Sequence, residues 1–332
     1  MTLPRELIRA GIAGLGTYVP ERVLTNAELE RVVNTSDEWI RTRTGIRERR
    51  IVSPEQAASD IAVPAAERAL RDAGVAPEEV DLVIVATNTP DMFFPATACL
   101  VQDRIGAKNV GAFDLAAGCT GFIYALAAGS QFVATGSCRT VLVIGADTLS
   151  KVTNWEDRNT CVLFGDGAGA VVLQPAPENS GILAFKLWSD GAGGPHLHLP
   201  AGGSRRPATR ETVEGKQHYI HMNGREVFKF AVRVMGDAAE EVLAAAGLGK
   251  ADLDFFIPHQ ANIRIIDAAA KRLGLPMEKV LVNVDRYGNT STASIPLALE
   301  EAVHSGRIKK GDHIVMVGFG AGLTWGAVAM KW

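Results

Sequence analysis

Ten consecutive residues, Ala66-Glu67-Arg68-Ala69-Leu70-Arg71-Asp72-Ala73-Gly74-Val75, are echoed 173 positions later by Ala239-Glu240-Glu241-Val242-Leu243-Ala244-Ala245-Ala246-Gly247-Leu248. The same spacing sets the apolar run 81–85 over 254–258, and 141–145 over 314–318. Chance supplies one matching helix, but three blocks at a single offset point to two copies of one unit. Each copy reads as a helix stopped by glycine, a polar link, an apolar strand, and then another helix and strand. That alternation predicts an α/β fold with strands buried between helices. The copies meet near 175–180, so the chain is expected to divide into a half 1–175 and a half 176–332.

The repeat also predicts where chemistry gathers. Phe113-Asp114-Leu115-Ala116-Ala117-Gly118-Cys119-Thr120-Gly121-Phe122 reads as a strand end, a small-residue turn and a helix start, with Cys119 at that start. No charged residue occurs from 115 to 138, and Ile123, Leu126, Phe132 and Val133 follow at roughly helical spacing, so a buried helix is expected. Glycines at 121, 129 and 136 and the polar Ser130, Gln131 and Ser137 argue for a core helix and turn, not a membrane span. A helix N-terminus favours an anion, which makes Cys119 a candidate thiolate below the ordinary thiol pKa of ~8.5. The plain alternative is a free cysteine that only packs.

In the second copy, 280–285 reads as a strand leading into Gly288-Asn289-Thr290-Ser291, which puts Asn289 almost where Cys119 falls in the first. His259 follows the strand end Ile257-Pro258, beside the same seam, where side chains at carboxyl ends of strands point into the cleft. A cysteine with histidine and asparagine partners is a nucleophile constellation. Papain-like proteases use these residue types in the same order. Their nucleophile, however, lies near the mature N-terminus of a disulfide-bearing secreted chain, with aromatic and cysteine neighbours that are missing around Cys119.

Other segments say less. A strand is expected over 8–17 and a helix over 26–33 capped by Thr25 or Asn26. Thr35-Ser36-Asp37-Glu38 signals a second cap. Arg41, Arg43, Arg47, Arg49 and Arg50 stand against Glu48 alone, which suits either a solvated face or a phosphate contact. A net charge of −3 argues against wholesale nucleic-acid binding. The four cysteines lack metal-ligand spacing and no basic-then-apolar leader opens the chain, so a reduced, cytoplasmic protein without metal or membrane anchor is expected.

Four blocks carry a family resemblance: Ala116-Ala117-Gly118-Cys119-Thr120-Gly121-Phe122, Phe164-Gly165-Asp166-Gly167-Ala168-Gly169-Ala170, Pro258-His259-Gln260-Ala261-Asn262 and Gly288-Asn289-Thr290-Ser291. They resemble the motifs of β-ketoacyl-acyl carrier protein synthase III, the initiating condensing enzyme of the thiolase-like superfamily, over about 12–332. Elongating synthases have a second histidine at the position of Asn289, and thiolases use a second cysteine. The resemblance implies a five-layered αβαβα fold of two duplicated halves. It also implies a decarboxylative condensation of a short acyl-CoA primer with malonyl-acyl carrier protein that initiates fatty acid biosynthesis, with acyl-CoA as a substrate and no cofactor.

By the same resemblance, Cys119 is acylated, the backbone N–H groups of Cys119 and Gly320 form the oxyanion hole, and His259 and Asn289 meet the enolate. Ala321 replaces a third consecutive glycine found in many relatives. Trp39 would stack on the adenine with Arg158 on its other side, while Thr35, Arg43, Asn262 and Arg264 line the pantetheine and phosphate path. Arg264, Lys271 and Arg272 would face the acidic carrier protein. Phe94 and Phe319 would border the acyl pocket, Phe94 reaching into the neighbouring subunit of a homodimer. Two further readings share parts of the pattern: a condensing enzyme of secondary metabolism with another primer, and a non-catalytic CoA- or acyl-carrier-binding scaffold.

Overall fold

Residues 8–332 are described by the structure, a computed structural model, and most of their strands fall into two sheets. The first orders Ala10–Tyr18, Gly167–Pro175, Val141–Asp147, Leu82–Ala86 and Gly111–Leu115 side by side. The second orders Phe255–Pro258, His313–Gly320, Thr324–Lys331 and Gly181–Ser189. The duplication survives in the pairing itself: Leu82 lies parallel to Val141, and Phe255 parallel to Ile314, each 173 positions on.

Alternation along the strands divides the core into three, because successive side chains leave a strand on opposite faces. Ile84 and Val143 of the first sheet and Ile314 and Met316 of the second turn toward each other onto Phe122, Ile123 and Leu126. Val83, Val85, Leu142 and Ile144 turn the opposite way, onto Ile61, Ala65 and Ala69 of the helix Ala58–Ala73. Val315 and Val317 meet Met235, Ala239 and Ile266 of the helices Gly224–Ala245 and Ile263–Leu273. The helices Gly121–Ala134 and Ser294–His304 therefore form a layer between the two sheets, with other helices outside. This is the thiolase-like αβαβα stack. Among the described residues no helix is long and apolar enough to cross a membrane.

Three expectations need correction. The helix expected over 26–33 ends at Leu29. The run 280–285 is not a strand: Val280 makes one isolated bridge to Phe256, and a short helix Val284–Tyr287 follows. Gln260 is the cause, since its Oε1 accepts the N–H groups of Asn283 (2.9 Å) and Val284 (3.2 Å) in place of a ladder partner. The arginine run is neither a solvated face nor a phosphate site throughout. Arg49 is fully buried in the strand Glu48–Ile51 and donates to Leu24 O, Asn26 Oδ1 and Val162 O at 3.2, 2.9 and 2.8 Å. Burial brings its guanidinium down to about 10. The caps are as read: Thr25 opens Asn26–Leu29, and Ser36 opens Asp37–Thr44.

Candidate active site

Cys119 follows the strand Gly111–Leu115, one residue before the helix N-cap Thr120, and is half-buried. The main chain there runs against the turn after the strand His313–Gly320. A Cβ on Gly320 would stand 2.3 Å from Cys119 N, and one on Gly118, whose φ is +56°, would stand 2.6 Å from Ala321 N. Only glycine fits such an approach. The expected thiolate does not hold for the protein at rest. Burial pushes the Cys119 thiol up to about 12; the Ser291 hydroxyl opposes this, and Asp147 adds to it. The helix proper begins at Gly121, so the sulfur sits ahead of the first turn and not within it.

His259 follows the strand Phe255–Pro258 and is 1% exposed. Its Nδ1 lies 2.6 Å from Ser294 Oγ, which also accepts the Gln260 N–H at 3.4 Å. When the Ser294 hydroxyl donates to Nδ1, the ring proton lies on Nε2, an atom without a partner among the described residues. The Phe319 ring meets the imidazole edge-on, with centroids 5.2 Å apart.

Burial pushes His259 down to about 3. The unfolded chain therefore takes the proton first, and the stability this neutral ring contributes is fully present above about pH 6.5 and falls away as pH drops toward 3. Its imidazole resonances are expected to stay fixed in NMR spectra from about pH 8 to about pH 5. A midpoint near 6.5 would show a ring open to water.

Asn289 is held from both sides of its backbone, its N–H on Leu163 O (2.8 Å) and its carbonyl on the Gly165 N–H (3.0 Å). Its Oδ1 accepts the Ser291 N–H at 2.9 Å, which turns Nδ2 the other way, unpartnered among the described residues. Ser291 Oγ donates to Cys119 Sγ at 3.2 Å. One chain of contacts therefore joins Cys119 to Asn289 through Ser291, and another joins it to His259 through Gly320 and Phe319.

In front of the sulfur is a cavity of about 220 Å³ whose walls include Asn88, Leu149, Phe164, His198, Ser291 and Ala321. Phe319 is not in that wall; it lies under His259. Phe94 stands outside at 85% exposure, next to exposed Met92 and Phe93. Trp39 is half-buried, with the guanidinium groups of Arg43 and Arg158 over its ring at 4.9 and 5.0 Å. The expected slot between Trp39 and Arg158 is thus closed, Arg158 being tied to Asn34 O at 2.9 Å. Thr35 keeps a buried Oγ1 without a partner. Asn262 caps the helix Ile263–Leu273 and donates to Arg43 O at 2.9 Å, which brings those two predicted residues together.

The basic residues divide. Arg264 is exposed, over the Phe228 ring. Lys271 pairs with Asp267, and Arg272 folds across Gly236 onto Asp237 and Glu240. Sequence reading did not single out Asn88, Asp147, Ser294 or the side chain of Ser291. Their relation to Cys119 and His259 is made only by tertiary contact, and no local spacing signals it.

Residues 113–191 match the family model described as 3-oxoacyl-[acyl-carrier-protein] synthase III, and residues 243–332 match the model of its C-terminal part. A β-ketoacyl-[acyl-carrier-protein] synthase III from Symbiobacterium thermophilum is 62% identical over 322 residues, covering 97% of this chain and 98% of the relative. Another, from Desulfitobacterium hafniense, is 60% identical over 326 residues, 98% of each chain. The solved β-ketoacyl-[acyl-carrier-protein] synthase III of Thermus thermophilus superposes with a TM-score of 0.90 at 54% identity, covering 97% of this chain and 99% of that one. With identity this high over nearly its whole length, the chain belongs to the β-ketoacyl-[acyl-carrier-protein] synthase III family.

Proposed function

We propose that the protein transfers a short acyl group from CoA to Cys119 and condenses it with malonyl-acyl carrier protein, the first condensation of fatty acid synthesis. The observation that carries this reading is the pair of unspent donors, His259 Nε2–H and Asn289 Nδ2–H, on two contact chains that converge on one cysteine. In the first half-reaction the Cys119 sulfur bonds to the thioester carbon, its proton leaves, and the CoA sulfur departs and is protonated. Backbone N–H groups of Cys119 and Gly320 take the oxyanion. In the second, the malonyl C–C bond breaks, CO₂ leaves, and the electron pair becomes an enolate whose oxygen the two side-chain donors meet. The enolate carbon attacks the acyl group and expels the Cys119 thiolate. A neutral imidazole suits this role, because it offers a proton in a hydrogen bond without giving it up.

The remaining roles follow the same reading. CoA adenine stacks on Trp39 by parting it from Arg158, and Thr35, Arg43, Asn262 and Arg264 border the path to Cys119. Arg264 gives the carrier protein its exposed cation, since Lys271 and Arg272 already have carboxylate partners. The exposed apolar run Met92-Phe93-Phe94 suits burial in a homodimer. The protein works in the cytoplasm. The test is a panel of acetyl-, butyryl- and branched acyl-CoA primers with malonyl-acyl carrier protein, scored by mass for β-ketoacyl product. At least one primer is expected to give product and free CoA. Acyl-Cys119 without condensation for every primer would overturn the assignment.

A further inference from the structure

Ser291 is an unusual residue to find beside a nucleophile. It is 1% exposed, and its φ of +50° lies in the left-handed region that a side chain resists and that glycine adopts freely. Three hydrogen bonds meet on its N–H and hydroxyl: its N–H on Asn289 Oδ1, its O–H on Cys119 Sγ, and the Asn88 Nδ2–H, which donates to its Oγ at 3.1 Å. Asn88 is itself fixed. Its backbone N–H donates to Asp147 Oδ1 at 2.7 Å and its Nδ2 to Asp147 Oδ2 at 3.0 Å.

The direction of this chain follows from donor chemistry. Asp147 is wholly buried and offers acceptors to Thr87, Thr89, Thr292 and Asn88. A carboxylate accepts and does not donate, so the Asn88 amide must present nitrogen to it; the flipped amide would set two oxygens face to face. The second hydrogen on that nitrogen then lies on Ser291 Oγ. The Ser291 hydroxyl, holding that hydrogen bond as acceptor, donates its own proton to Cys119 Sγ at 3.2 Å.

We propose that Asp147, Asn88 and Ser291 form a one-way hydrogen-bond relay that aims a hydroxyl proton at Cys119 Sγ and stabilises the sulfur as it becomes a thiolate. The strained backbone of Ser291 is what brings the hydroxyl there. The inference rests on the proposed role of Cys119 as nucleophile and adds positioning residues to it. Other titratable groups near the sulfur are few. Asp147 ends the strand Val141–Asp147, His259 follows Phe255–Pro258, and His198 reaches the same cavity from the ribbon Leu197–His198. Helix Gly121–Ala134 has no charged side chain, and in the helix Ser294–His304 Glu300, Glu301 and His304 lie at the far end.

The test is the rate of Cys119 alkylation by iodoacetamide in the full-length protein between about pH 7 and pH 10, read by peptide mass spectrometry beside Ser291→Ala, Ser291→Gly and Asn88→Ala. Losing a hydrogen bond to a charged group raises the thiol pKa by about one unit or more. The greater nucleophilicity of a more basic sulfur returns part of that loss, so the two serine variants are expected to react about three- to tenfold more slowly throughout. Asn88→Ala should fall between them and the parent. Ser291→Gly relieves the backbone and should melt higher than Ser291→Ala, which keeps the comparison valid if the alanine variant folds poorly. A Ser291→Gly profile matching the parent overturns the proposal, and so does an Asn88→Ala profile that does not move. Alkylation needs no acyl-CoA, so a protein that shows these shifts yet makes no β-ketoacyl product would refute the proposed function and leave the relay standing.

Discussion

Cys119→Ala is expected to leave no acyl-enzyme and to lower condensation by at least about 10⁴-fold, the scale on which removal of a covalent nucleophile acts. The fold should hardly notice. Cys119 is half-buried beside the cavity, while the contacts that fix this turn belong to the main chain, where Gly118 and Gly320 press against Ala321 and Cys119. The thermal midpoint should therefore stay close to that of the parent. The variant should still release CO₂ from malonyl-acyl carrier protein, since the donors on His259 and Asn289 are held by Ser294 and Ser291 and not by the thiol. Intact mass after incubation with acetyl-CoA reports the first effect, and trapped CO₂ the second. An alanine variant that still becomes acylated would move the nucleophile elsewhere.

The duplication was legible because it is written in strand register: the offset relating residues 66 and 239 also relates the pairs Leu82–Val141 and Phe255–Ile314. Where the copies diverge, sequence pattern misleads. The alternating valines at 280, 282 and 284 carry the signature of a strand, but the side chain of Gln260, some twenty positions earlier, takes the N–H groups a neighbouring strand would have needed. The arginine run likewise gave no sign that Arg49 would end among carbonyls in the core.

At the site, Cys119 and His259 each follow a strand in copies related by the repeat, as the pattern suggested, whereas Asn289 follows a short helix and meets Cys119 only through Ser291. The protonation of Cys119 and His259 could not be read, because it depends on burial. A cysteine expected to ionise easily holds its proton, while the histidine stays neutral for want of water. Asn88 and Asp147 lie far in sequence from Ser291 and have no periodicity in common with it, so only the packed chain shows what they do.

His259→Ala and Asn289→Ala should each slow malonyl decarboxylation by about 10² to 10³-fold, as loss of one donor to a developing oxyanion does, while Cys119 still accepts an acyl group. The two should differ in what else they disturb. Alanine at 259 removes a ring whose other nitrogen is satisfied by one serine hydroxyl, leaving Ser294 to turn to another acceptor. Alanine at 289 strips the acceptor from a buried N–H, that of Ser291 in its left-handed conformation, at a cost of about 1–3 kcal/mol, so this variant should also melt lower and acylate somewhat more slowly. Asn289→Asp separates the two effects. It keeps an oxygen for the Ser291 N–H, removes the donor, and puts negative charge where the enolate forms. Decarboxylation should then fall at least as far as in Asn289→Ala while the melting temperature recovers. If Asn289→Asp instead decarboxylates malonyl-acyl carrier protein at the parental rate, Nδ2 does not face the enolate, and the charge must be met by His259 alone or by the backbone around Gly320.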